Sequence, residues 1–187
     1  MKAPTGISRR IEGCIDSYKQ KDFESALLHL FPAIDRTAKK RRSKDNVANR
    51  IKSFLRDESI IISSVATGCI FQDIVVEGVS IETAIYKIGR TSIAHEGELD
   101  PRLSFDPGNG IVMSHDRWNL PAKYILGMAL SVVASPENQG EQTRQGLGLK
   151  VLGKDFELNE IWGNPEIVKQ HICAYFQRPD LFEEQLI

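Results

Sequence analysis

Ser80-Ile81-Glu82-Thr83-Ala84-Ile85-Tyr86-Lys87-Ile88-Gly89-Arg90-Thr91-Ser92-Ile93-Ala94-His95-Glu96-Gly97 reads as one helix, and it sets the class of the fold. Ser80 is a residue type that caps helix N-termini, and Gly97 is the type that ends them. Between them Ile81, Ile85, Ile88 and Ser92 recur at helical spacing and predict a buried stripe. His95 falls roughly 40° from the centre of that stripe, while Arg90 falls on the opposite side.

The flanking sequence is also helical. Ile7, Ile11, Cys14, Ile15 and Tyr18 predict a helix over 7–20. Asp22 suits the N-cap of a second helix from Phe23, with Ala26, Leu27, Leu30, Phe31, Ile34 and Ala38 on one stripe. Pro32 inside it predicts a kink or break near Leu28–Phe31. Asp45 or Asn46 caps a third helix carrying Val47, Ile51, Phe54 and Leu55. Residues 60–79 hold β-branched runs without clean alternation, so helix and strand both stay open there.

Downstream the punctuation changes. Pro107-Gly108-Asn109-Gly110 between Arg102–Phe105 and Gly110–Ser114 predicts a hairpin. Leu120-Pro121 opens an apolar helix that stops at Ser135-Pro136. The polar, glycine-rich stretch 136–148 reads as a mobile loop, and 149–158 as a second short hairpin turning at Gly153. Asn164-Pro165 starts a last helix to about Gln177. The expectation is mainly α: a single domain over 1–187, with a helical bundle core at about 7–100. One or two small β-hairpins and further helices follow over about 101–187.

Composition narrows the class. The 187 residues carry a formal net charge of −1, with 41% hydrophobic and 26% charged residues, as a globular chain does. The longest apolar run, Tyr124 to Ala134, is well short of the ~20 residues of a membrane span. No apolar leader follows Met1. The three cysteines are odd in number, far apart and without CxxC spacing, which argues against a disulfide framework or a cysteine zinc site and fits a reducing cytoplasm. The expected location is the cytoplasm, with no membrane partner.

The near-zero charge hides an asymmetry. Residues 36–56 hold nine Lys and Arg against one acid, Asp45. Such a local field attracts phosphates, and Lys39, Lys40, Arg41, Arg42 and Lys44 are its candidate RNA contacts. A solvated helix face with a charged turn fits the same residues. His29 and His171 lie in apolar helices and read as packing or surface residues. His115-Asp116 is either an acid/base pair or a turn.

Arg90 and His95, with Tyr86 before them and Glu96-Gly97 after, resemble the R-x4–6-H motif of the HEPN superfamily. These are helical-bundle proteins that include many metal-independent RNases of defence and toxin–antitoxin systems. The resemblance covers Ser80 to Asp100 and implies a HEPN-like helical bundle. It further implies an endoribonuclease acting on single-stranded RNA, a hydrolase in the broad sense, with no metal and no cofactor. His95 would be the acid/base and Arg90 the phosphate stabiliser, supported by Tyr86, Thr91 and Glu96. Attack of the 2′-OH on the adjacent phosphate would leave a 2′,3′-cyclic phosphate and a 5′-OH.

On a straight α-helix, however, Arg90 and His95 lie roughly 140° apart. They meet at one phosphate only if the helix loosens after Gly89 or a second copy contributes. The family resembles the second solution, in which two motifs meet across the two-fold of a homodimer. Thr91 stands where many family members have Asn, Asp or His. That departure motivates a second function, a non-catalytic helical module binding RNA or a protein partner as a regulator or antitoxin. For His95 the residue pattern alone also fits a histidine at the edge of the core.

Overall fold

Thr5 opens α1 (Gly6–Lys19) with a capping box: its hydroxyl accepts from the Ile7 N–H, and its own N–H donates to the Ser8 hydroxyl. The computed structural model describes residues 5–93, 98–108, 110–114 and 116–183, and these form a mainly helical protein. Asp22 caps α2 (Phe23–Arg41) by accepting from the Ser25 N–H. The helix runs through Pro32 without the break expected there. Leu28 and Pro32 are both exposed, so the carbonyl that loses its partner faces water. Asn46 caps α3 (Val47–Asp57). The ambiguous stretch resolves into α4 (Ser59–Thr67) followed by a small ribbon of β1 (Val75–Val76) and β2 (Val79–Ser80).

The expected second half departs in detail. β3 (Leu103–Asp106) and β4 (Val112–Met113) do not pair as a hairpin. β5 (Trp118–Pro121) lies between them, parallel to β3 and antiparallel to β4. Burial decides this. Leu103 and Phe105 stand beside Trp118 and Leu120 in register, and all four side chains are buried, whereas Val112 is exposed. The apolar helix α6 (Lys123–Ala134) therefore starts after the strand. The second hairpin forms as expected, from β6 (Gly148–Val151) and β7 (Lys154–Glu157). A short helix α7 (Leu158–Ile161) and then α8 (Pro165–Phe176) close the chain, though Asn164 makes no capping hydrogen bond.

The core centres on α6, which is buried along most of its length and packs on α1, α2 and α4. Gly127 lets α6 cross α4 backbone to backbone, since a Cβ there would lie 2.7 Å from the Ile62 carbonyl oxygen. The loop after α6 is pinned rather than loose. Buried Asn138 donates to the Thr37 hydroxyl (2.8 Å) and to the Val132 carbonyl (2.7 Å), and its oxygen accepts from Lys40 (3.0 Å). Among the described residues no helix is long and apolar enough to cross a membrane.

Candidate functional site

The helix that carries the motif is not a plain α-helix. After one α-turn, α5 (Ile81–Ala84), residues Ile85–Thr91 form a π-helix. Its repeat bonds i to i+5, and π-turns of this kind occur often at functional sites. The Thr91 hydroxyl follows that spacing by donating to the Tyr86 carbonyl five residues back (3.1 Å). Ser80 donates its hydroxyl to Thr83 and does not cap the backbone. His95, Glu96 and Gly97 lie outside the described residues, as does His115.

Packing explains where the π-turn places Arg90. Gly89 is buried against α2 and β3: a Cβ there would sit 3.0 Å from Leu103 and 3.1 Å from Phe31. The next residue, Arg90, consequently lies over the exposed side of α2. It lines a cleft of about 210 Å³ with Leu28, Phe31, Pro32, Asp35 and Ile93. Its guanidinium stands 6.0 Å from the centre of the Tyr86 ring. No carboxylate pairs with Arg90 among the described residues. Asp35 is held by Arg50 at 2.7 Å.

The basic segment is divided. Arg41 donates to both Glu137 oxygens (2.9 and 3.2 Å), to Asp57 (3.2 Å), to Glu58 (2.8 Å) and to the Ser135 hydroxyl (3.2 Å). Its side chain is 19% exposed. Burial opposes the Arg41 charge, but Glu137 and Glu58 outweigh burial and hold its pKa above the ordinary value. Burial likewise pushes the Glu58 carboxyl up against the pull of Arg41. Arg42 reaches Asp57 at 2.7 Å, and Lys40 bonds the Glu137 carbonyl and Asn138. Arg56 pairs with Glu82 at 2.9 Å. Lys40, Arg41 and Arg42 clamp α2 to the α3–α4 junction and to the turn after α6, while the Arg56–Glu82 pair ties α3 to α5. Lys39 and Lys44 remain exposed with no ion pair among the described residues. The acids that pair with the cluster, Asp35, Asp57, Glu58, Glu82 and Glu137, all lie outside residues 36–56, which is why a charge count of that segment could not reveal them.

A second cationic feature, which the sequence alone does not single out, adjoins the Arg90 cleft. Arg9 and Arg10 of α1 and His29 and Arg36 of α2 line one groove of about 560 Å³, with Gly6 and Pro32 completing it. Pro32 also lines the Arg90 cleft, so the two openings adjoin. The available signal was a spacing: Gly6 and Gly13 on α1 are seven residues apart, as are His29 and Arg36 on α2. Among the described residues no group of three or more His, Cys, Asp or Glu side chains is placed to hold a metal ion.

The sequence model of the Rv1289 family matches residues 6–177. The chain belongs to the Rv1289 family. The match runs from the first residue of α1 to the residue after α8, so it includes the π-turn and both clefts of this Rv1289-family protein. No curated protein and no solved structure matches it.

Proposed function

We propose that this protein is a HEPN-like, metal-independent endoribonuclease in which Arg90 braces the phosphate and His95 is the acid/base. One observation carries the proposal: the motif begins inside a π-turn. The π-turn spans Ile85–Thr91 and so fixes the position of Arg90, the first residue of the motif, while His95 lies outside the described residues. Arg90, in an open cleft and with no carboxylate partner among the described residues, supports the same role, since such a guanidinium can take a phosphate through two parallel hydrogen bonds.

In the proposed reaction the 2′-oxygen forms a bond to phosphorus and the 5′-oxygen leaves. One imidazole takes the 2′-proton, an imidazolium returns a proton to the leaving oxygen, and Arg90 stabilises the charge on the non-bridging oxygens. Two His95 copies in a homodimer divide these roles. A cytoplasmic toxin or defence role, with an antitoxin or regulatory partner, goes with this proposal.

The test is cleavage of labelled single-stranded RNA in EDTA. Expected are products ending in 2′,3′-cyclic phosphate and 5′-OH, with activity lost in both Arg90→Ala and His95→Ala. Cleavage that stops with chelator and survives both substitutions overturns the proposal.

A second reading has one specific support. The Thr91 hydroxyl donates its one proton to the Tyr86 carbonyl, which leaves no side-chain donor beside Arg90 at that position. A non-catalytic module would bind the same RNA through Arg90 without turnover.

A further inference from the structure

The groove between α1 and α2 has a built geometry. The two helices are antiparallel, with Gly6 facing Arg36 and Gly13 facing His29. A Cβ at Gly6 would lie 2.5 Å from the Arg36 guanidinium, and one at Gly13 would lie 2.7 Å from the His29 ring. The missing side chains let both α2 groups lie down against α1. Arg10 reaches across to His29, with Nη1 3.5 Å from Nδ1. Arginine stays protonated and can only donate, so Nδ1 is the acceptor and the imidazole proton sits on Nε2. Arg9 turns its Nε towards the Thr5 carbonyl (3.4 Å) and leaves its terminal nitrogens to the groove.

What distinguishes this groove is missing counter-charge. Arg41, Arg42, Arg50 and Arg56 each meet a carboxylate. Arg9, Arg10 and Arg36 meet none among the described residues, and no acid lines the groove. The nearby acids are engaged elsewhere. Asp16 and Glu12 hold Arg144, and Glu141 takes the Thr5 hydroxyl. Three guanidiniums facing one concavity repel one another until an anion enters, and their planar forks match phosphate oxygens.

We propose that Arg9, Arg10 and Arg36 form a phosphate-binding groove that holds the backbone of a single RNA strand beside the Arg90 cleft. The choice of a strand rests on the function proposed above, and on continuity. The groove and the cleft share Pro32, and exposed Leu28 continues the surface towards Arg90. A strand held by its phosphates in the groove can pass over Pro32 and present the next phosphate to Arg90. Free phosphate offers the same chemistry to the same groove, so the experiment separates the two.

The probe is a fluorescent 2′-O-methyl RNA 12-mer, which lacks the attacking hydroxyl and so reports binding alone. Its affinity is measured by anisotropy across a salt series for wild type, Arg9→Gln/Arg36→Gln and Arg9→Lys/Arg36→Lys. Removing two phosphate contacts should reduce the salt slope by about 1.4 and weaken binding about 25-fold at 0.1 M salt. The lysine pair keeps its charges and should retain most of the slope. Both positions are exposed, and melting curves matching wild type verify the fold. Wild-type affinity and slope in the glutamine pair overturn the groove. Inorganic phosphate bound by wild type and lost in the glutamine pair, with RNA binding unchanged, overturns the strand as occupant. Neither result touches the nuclease proposal, which stands or falls on cleavage in Arg90→Ala and His95→Ala.

Discussion

The imidazole of His29 lies on Gly13, so that a methyl group at Gly13 would fall 2.7–2.8 Å from three of its ring atoms. The helix propensity cost of about 1 kcal/mol for an interior glycine is tolerated here, and the return is a flat seat for the ring. Replacing Gly13 by Ala should recover part of that propensity while expelling His29 towards solvent. Burial, with the Arg10 charge second, holds His29 below its ordinary pKa. The expelled ring should therefore titrate closer to 6.5, as followed by NMR of its ring protons. An unchanged titration in Gly13→Ala would mean the ring does not rest on Gly13 in solution.

The same histidine gives a pH dependence with a definite sign. Because its folded pKa is depressed, protonation favours the unfolded chain. His29 costs nothing above the unfolded value of about 6.5, and its penalty develops as pH falls below that. A bound phosphodiester reverses the balance by favouring the imidazolium. RNA affinity should rise as pH falls below about 6.5, while Arg9, Arg10 and Arg36 stay charged throughout. His29→Gln should flatten the affinity profile. An equal rise in that variant would place the titrating group elsewhere.

Arg41 belongs to the fold. Truncating it leaves Glu58, Glu137 and Asp57 crowded in a half-buried space without their cation. Arg41→Ala should destabilise the protein by roughly 3 kcal/mol in chemical denaturation. Lys39→Ala, at an exposed position with no ion pair among the described residues, should change stability by less than about 0.5 kcal/mol. Equal effects from the two would show that the clamp carries no stability.

Gly127 tests the centre of the core. A Cβ there meets the backbone of Ile62, which cannot swing aside as a side chain can. Gly127→Ala should cost about 1–3 kcal/mol by overpacking, despite alanine's better helix propensity. A melting temperature at or above wild type would contradict the close crossing of α4 and α6.

How much of this was legible depends on the range of the interaction. Asp22, Asn46 and the stripes of α1, α2 and α6 act within a few residues, so spacing alone located those elements. β3 and β4 flank a good turn sequence yet do not pair, because pairing was decided by burial beside Trp118 and Leu120. The π-turn was illegible for a similar reason. Its local sequence is ordinary helix, and the close seat of Gly89 against Phe31 and Leu103 is a contact between elements far apart in sequence. At the candidate site, Arg90 was legible as a motif residue, but Arg9, Arg10 and His29 were not. Nothing in a linear charge count separates an arginine facing a groove from Arg41, whose charge is cancelled by acids up to 96 residues away.

Gly89 offers the sharpest separation of site from scaffold. It is helical and sits between Phe31 and Leu103 at distances only a few tenths of an ångström too short for a methyl group. Alanine would gain about 1 kcal/mol of propensity and lose a similar amount by pushing the turn away from α2. Stability in Gly89→Ala should thus stay within about 1 kcal/mol of wild type. The displacement falls on the residue next to Arg90, however, and a misplacement of ~1 Å at a reacting phosphate can cost on the order of 100-fold in rate. RNA cleavage should therefore drop by at least about tenfold, while binding of the 2′-O-methyl strand, held in the α1–α2 groove, stays near wild type. Unfolding curves, cleavage rates and anisotropy on one preparation decide it. Cleavage that keeps its wild-type rate in a folded Gly89→Ala protein would show that the π-turn does not position Arg90 for chemistry.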